Sequence, residues 1–107
     1  MRIDNMNANE QIYELLDTIK RDYGLYIGEK SVRILSHFLS GYTVALNRIS
    51  GQTCAFNSDF QKYIEAKYCD KTRHHWSDIL CYYHHTDEAA FDNFFELLDE
   101  FKSGDIQ

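Results

Sequence analysis

Apolar residues recur along this chain at intervals of three and four, and no segment shows the sustained alternation of a strand. Five stretches carry the helical pattern. In the first, from Asn9 to Arg21, Ile12, Leu15, Leu16 and Ile19 share one face with Tyr13 beside them, while Glu10, Glu14 and Asp17 fall elsewhere. Asn9 is placed to cap its start, Lys20 and Arg21 suit the negative end of its dipole, and Gly24 is expected to break it. Tyr23 to Gly28 then reads as a compact turn pressed onto the core, its aromatics filling gaps between helices.

Ser31 opens the second and longest helix, Val32 to Ser50, and Gly51 ends it. Its stripe is Val32, Leu35, Leu39, Tyr42, Leu46 and Ile49, joined by Phe38 and Ala45. Gly41, mid-helix, costs about 1 kcal/mol relative to Ala, which points to a close helix approach there. A third helix starts near Asn57 or Ser58 and repeats Phe60, Tyr63, Ile64, Lys67 and Tyr68. After a polar loop from Cys69 to His75, a short fourth helix turns Trp76, Ile79, Leu80 and Tyr83 inward. Thr86 caps the fifth, whose core side is Ala90, Phe91, Phe94, Leu98 and Phe101. The expectation is an all-α, single-domain bundle of about five helices over residues 1–107, with residues 1–8 flexible.

Composition agrees with a packed domain. At 107 residues and 44% hydrophobic content, the chain is able to bury roughly two-thirds of the surface it exposes when unfolded. Proline is absent, so long helices run without interruption. No apolar run approaches the roughly 18 residues of a membrane span, and the polar start lacks a signal-peptide segment. Three cysteines without an export signal point to the reducing cytoplasm rather than a disulfide framework.

Charge changes the picture. From Thr86 to Gln107 there are seven acids and one base, a balance of −6, whereas residues 1–85 hold ten of each. The whole net charge therefore sits in the last fifth of the chain. Glu88, Asp92, Glu96 and Glu100 form an unbroken row at four-residue spacing, with Asp99 on the same side. Each like-charged step costs a helix about a few tenths of a kcal/mol. A solvated face kept acidic for solubility is the bland explanation. A basic protein partner is the functional one, and Phe95, which falls between the acid row and the core side, completes the candidate partner-binding set. An acidic balance argues against nucleic acid as the ligand.

Other constellations carry less. Cys69, His74, His75, Cys81, His84 and His85 crowd the fourth helix, and Cys81 to His84 has zinc-ligand spacing. Closed zinc sites draw two separated ligand pairs, whereas this set lies within seventeen residues around one helix. A small metal-binding or nucleotide-handling protein built on residues 69–85 is the alternative reading. A basic cluster of Lys67, Lys71 and Arg73 with His74 and His75 adjoins Tyr68 and Trp76, but Asp70 and Asp78 interrupt it. Its alternative reading is an answer to the acidic helix, within the fold or in a dimer. No nucleophile elbow surrounds Cys54 or Cys81, and the paired carboxylates lie on a convex face rather than in a cleft. The expectation is a protein that is not an enzyme, with no catalytic residue, cofactor or metal.

Several strings carry a resemblance. Tyr23-Gly24-Leu25-Tyr26-Ile27-Gly28 leads into Ser31-Val32-Arg33-Ile34-Leu35-Ser36-His37-Phe38-Leu39-Ser40-Gly41-Tyr42. Phe60-Gln61-Lys62-Tyr63-Ile64, Trp76-Ser77-Asp78-Ile79-Leu80 and Asp87-Glu88-Ala89-Ala90-Phe91 follow, the last running into Phe94 to Phe101. From about Tyr13 to Phe101 the chain resembles small all-helical immunity proteins of contact-dependent growth inhibition and other polymorphic toxin systems. Where related members tend to have Arg-Pro before the Gly-aromatic turn, this chain has Arg21-Asp22-Tyr23. The resemblance implies a cytoplasmic toxin inhibitor that acts by protein–protein interaction. Its partner would be a cognate toxin C-terminal domain, of basic, nuclease-like character, whose active site the acidic surface covers.

Overall fold

A computed structural model describes residues 7–104. Five helices follow one another: α1 (Ala8–Tyr26), α2 (Val32–Ser50), α3 (Phe56–Tyr68), α4 (Trp76–Tyr83) and α5 (Asp87–Ser103). The described residues contain no strand, and the chain is an all-α single-domain bundle. Among them no helix is long and apolar enough to cross a membrane.

Local chemistry explains the boundaries. The Ser31 hydroxyl accepts from the Ile34 N–H at 3.2 Å, and the Thr86 hydroxyl accepts from the Ala89 N–H at 3.0 Å. Each satisfies an otherwise orphaned donor at a helix start. Gly51 closes α2 in the left-handed region, at φ +75°, where a side chain would be strained.

The first helix departs from expectation at both ends. Its cap is Asn7, not Asn9: the Asn7 side chain accepts from the Glu10 N–H at 2.8 Å while Glu10 accepts from the Asn7 N–H at 3.0 Å. This reciprocal box needs an acid three residues after the cap, which Asn7 has and Asn9 lacks. Of the start expected to be flexible, residues 1–6 lie outside the described residues. Ala8, however, is buried, and its N–H donates to Gln52 at 2.8 Å. Gly24 does not break α1. The helix kinks at Asp22 (φ −124°, ψ 44°), continues to Tyr26, and turns at Gly28, whose φ is +85°. Tyr23, packed edge-on against Phe91 at 5.7 Å, and the buried Ile27 hold this extra turn in place. Tertiary packing outweighs the cost of a single helical glycine.

Two further expectations on α2 fail. A Cβ on Gly41 would meet nothing within 4 Å, so no helix approaches there. Ile49 stands 85% exposed, because the last turn of α2 runs past the core. The third helix begins at Phe56, a residue or two earlier than its polar residues suggested, since Phe56 is itself core.

An aromatic centre joins the three C-terminal helices. Trp76 stacks on Phe94 (5.1 Å, 23°) and meets Phe60 edge-on (5.2 Å, 87°), while Phe56 stacks on Phe60 (5.2 Å, 15°). Ile12, Leu16 and Ile19 of α1 and Val32, Leu35 and Leu39 of α2 complete the core. Burying side chains of this size contributes about 1.5–3 kcal/mol each.

Candidate partner-binding face

Burying Ala90, Phe91, Phe94, Leu97 and Leu98 turns the opposite side of α5 outward. Glu88, Asp92, Glu96, Asp99 and Glu100 are all exposed there. At 3.6 residues per turn, each four-residue step advances about 40° beyond a full turn, so the row winds by about 120° from Glu88 to Glu100. It therefore crosses the helix face, from the α1–α2 connection toward α3.

The crossing explains which acids find internal partners. Asp92 accepts from Lys30 Nζ at 3.2 Å, and Glu100 accepts from Lys67 Nζ at 2.8 Å and from the Tyr63 hydroxyl at 2.6 Å. The hydrogen bond to Asp92, reinforced by its charge, raises the Lys30 pKa. The bonds from Lys67 and Tyr63 hold the Glu100 carboxyl below its ordinary range. Glu88, Glu96 and Asp99 enter no ion pair among the described residues. The outward acids thus divide into an anchored pair and a trio outside any ion pair.

Beside the row runs a shallow cleft of about 300 Å³, with Lys20 and Lys30 on one wall, Asp92, Glu96 and Asp99 on the other, and Phe91 and Phe95 between. Phe95 does not flank the acids as an exposed aromatic. It is 5% exposed, edge-on to both Phe94 (4.9 Å) and Phe91 (5.2 Å), with Lys20 Nζ 5.9 Å from its ring centroid. The long α1 reaches far enough to cover it, so the ring is part of the core and shows only an edge to the cleft.

The histidine and cysteine side chains around α4 do not converge. Among the described residues no group of three or more His, Cys, Asp or Glu is placed to hold a metal ion. Their contacts are structural. His75 caps α4 by accepting from the Ser77 N–H at 3.1 Å. Its ring lies on the Trp76 indole at 5.1 Å, and lost hydration pushes its pKa down, opposed by Asp78 and assisted by His37. His84 Nε2 lies 3.2 Å from the Tyr68 hydroxyl and 3.0 Å from Asn93 Nδ2.

The basic cluster is divided: Lys71, Arg73 and His74 stay exposed, while its other members are taken up by the fold. Lys67 is held by Glu100, and Trp76 is fully buried and offers no stacking platform. Gln61 fastens the preceding loop, donating to His74 O at 2.8 Å and accepting from Trp76 N at 2.7 Å.

Periodicity missed one feature at this end. Tyr83, expected inside, is 46% exposed, and Tyr82 is 81% exposed. Both line a groove of about 680 Å³ that reaches Arg33, Asp78 and Asp87. The eight-residue helix ends at Tyr83, whose ring is stacked on Tyr68 at 4.8 Å but is left half exposed. The pair of adjacent tyrosines at a helix end was the available signal.

Comparison with protein-family models, curated proteins and solved structures finds no match to this chain.

Proposed function

We propose that this protein is an immunity-type inhibitor that binds the basic active-site cleft of a toxin domain, nuclease-like in chemistry, through the outer face of α5. The observation that supports the reading is the trio Glu88, Glu96 and Asp99, exposed and in no ion pair among the described residues, on a helix whose other row acids are held by lysines. A nuclease cleft is shaped and charged for phosphates, and a rigid helix presenting carboxylates at similar spacing competes for it. Opposite charge also speeds encounter, which an antidote requires. Such a binder needs no catalytic group or cofactor of its own. Protein is the partner in this reading, since acids on this face repel nucleic acid and anionic membrane surfaces alike.

The test is co-expression with the product of the adjacent reading frame, scoring growth and then co-purification. The triple variant E88K/E96K/D99K leaves the Lys30–Asp92 and Lys67–Glu100 pairs in place, and circular dichroism checks that it folds. Binding is expected to weaken about a hundredfold or more and protection to fail, with each single reversal costing about tenfold or less. A triple variant that folds, binds and protects like the natural chain removes α5 as the interface.

A further inference from the structure

The second surface on which a partner could be held lies at the free end of α4. It is a groove rather than a convex face, and its exposed residues are aromatic. Tyr82 stands 81% exposed, with Tyr83 edge-on to it at 5.0 Å. Tyr83 in turn stacks on Tyr68 at 4.8 Å, so the platform is backed by the core and pre-ordered. Tyrosines presented in this way are over-represented among the residues that dominate binding energy, because they contribute large area at little cost in entropy.

The charges in the groove define the occupant. Arg33 is tied to Asp78 at 3.1 Å, and Asp70 accepts from Thr72 N at 2.9 Å and from its hydroxyl at 2.5 Å. Asp87 enters no ion pair among the described residues, although the Arg33 guanidinium lies close enough to feel its charge, and it begins the helix that carries the acid row. The groove therefore offers an aromatic platform and one carboxylate outside any ion pair, continuous with the face described above. A planar cation answers both: a guanidinium stacks on a tyrosine ring and pairs with a carboxylate, whereas an ammonium is compact and more strongly hydrated. An anionic ligand would meet three carboxylates, Asp70, Asp78 and Asp87, against one permanent cation, Arg33, and the imidazoles of His74, His84 and His85.

We infer that this groove is a second docking site, for an arginine-bearing segment of the basic protein partner, with Tyr82 and Tyr83 as the stacking surface and Asp87 as counter-ion. The inference rests on the reading that the partner is a basic protein. It adds that the interface extends past the start of α5 and that its aromatic anchors are Tyr82 and Tyr83, not the buried Phe95.

The experiment is an NMR titration of the isotopically labelled full chain with a hexa-arginine peptide, with a hexa-lysine peptide as control. Amide shifts are expected in residues 81–87 as well as 92–100, with hexa-arginine preferred over hexa-lysine in the first set only. Tyr82→Ala, at a site too exposed to disturb the fold, is expected to weaken arginine binding in 81–87 by about two- to fivefold and leave 92–100 unchanged. Asp87→Asn is expected to act in the same direction on the same residues. Shifts confined to 92–100, or no arginine preference and no effect of Tyr82→Ala, would overturn the groove while sparing the acidic face. Silence at both sets of amides would overturn both.

Discussion

The outer face of α5 and the open end of α4 share a border at Thr86 and Asp87, yet they are made of opposite materials. The α5 face is carboxylate laid over a buried aromatic floor; the α4 end is aromatic surface with few free charges. The first acts at a distance, because unneutralised charges are felt across about 8–10 Å of solution. The second acts only on contact, because stacking and burial need touching surfaces. A charge row speeds encounter, and exposed tyrosines lengthen the life of a complex. The comparison teaches that charge and aromatic anchor need not coincide. Read from sequence they fell together at Phe95; in the folded chain the acids lie along α5 and the exposed rings at the end of α4.

The change that breaks both regions at once is Trp76→Ala. The indole stacks on Phe94 of α5 while opening α4, so it is the joint between them. Its loss is expected to cost about 3–5 kcal/mol, a large share of the stability of a small domain, measured by urea unfolding. A cost under about 1 kcal/mol would show that the regions do not depend on a common centre. Gln61→Ala separates them. It strips the partner from Trp76 N and His74 O at the start of α4 and leaves the acid row untouched. About 1–3 kcal/mol is expected, with hydrogen exchange accelerated in residues 69–78 and unchanged in α5.

Acidity distinguishes the regions by pH window. The His75 pKa is lowered in the folded state from its ordinary 6.5, so the unfolded chain binds that proton first. The contribution of this cap is complete above about pH 6.5 and is lost as pH falls toward the folded value. His75→Asn, a cap that does not titrate, is expected to change stability by about 1 kcal/mol or less at pH 7 and to flatten the loss between pH 6.5 and 5. An unaltered melting profile over that interval would remove His75 as the sensitive group. Glu100 responds lower. Its folded pKa lies below the ordinary 4.5, so the stability from its bonds to Lys67 and Tyr63 is present above that value and lost as pH falls through the folded one. Lys67→Met is expected to cost under about 1 kcal/mol at pH 7, because the pair is half exposed, and nothing at pH 2. Equal costs at the two pH values would mean that the lysine contributes packing, not charge.

Much of this was legible in the chain because it is local. Ser31, Gly51 and Thr86 mark helix ends through contacts within four residues, and the period of Ala90, Phe91, Phe94 and Leu98 sets the inward side of α5. The acid row is a consequence of the same period, so its exposure was readable too. Asn7 was also readable, since Glu10 stands at the distance a capping box requires. Gly24 misled because a lone glycine is a weak signal that Tyr23 and Ile27 override from outside the helix. Gly41 misled in the other direction: it has a cost and no neighbour.

The sequence by itself determined five amphipathic helices and a concentration of negative charge on the last, because both follow from spacing along one chain. Only the tertiary structure decided how that charge is spent. Lys30 and Asp92 are 62 residues apart, and Lys67 and Glu100 are 33 apart, so no local rule could pair them or leave Glu88, Glu96 and Asp99 outside any ion pair among the described residues. The same holds for the aromatics. Helical period places Phe95 at the edge and Tyr83 inside, but burial depends on what lies opposite: α1 covers Phe95, whereas Tyr68 stacks on Tyr83 where α4 ends and leaves it half exposed.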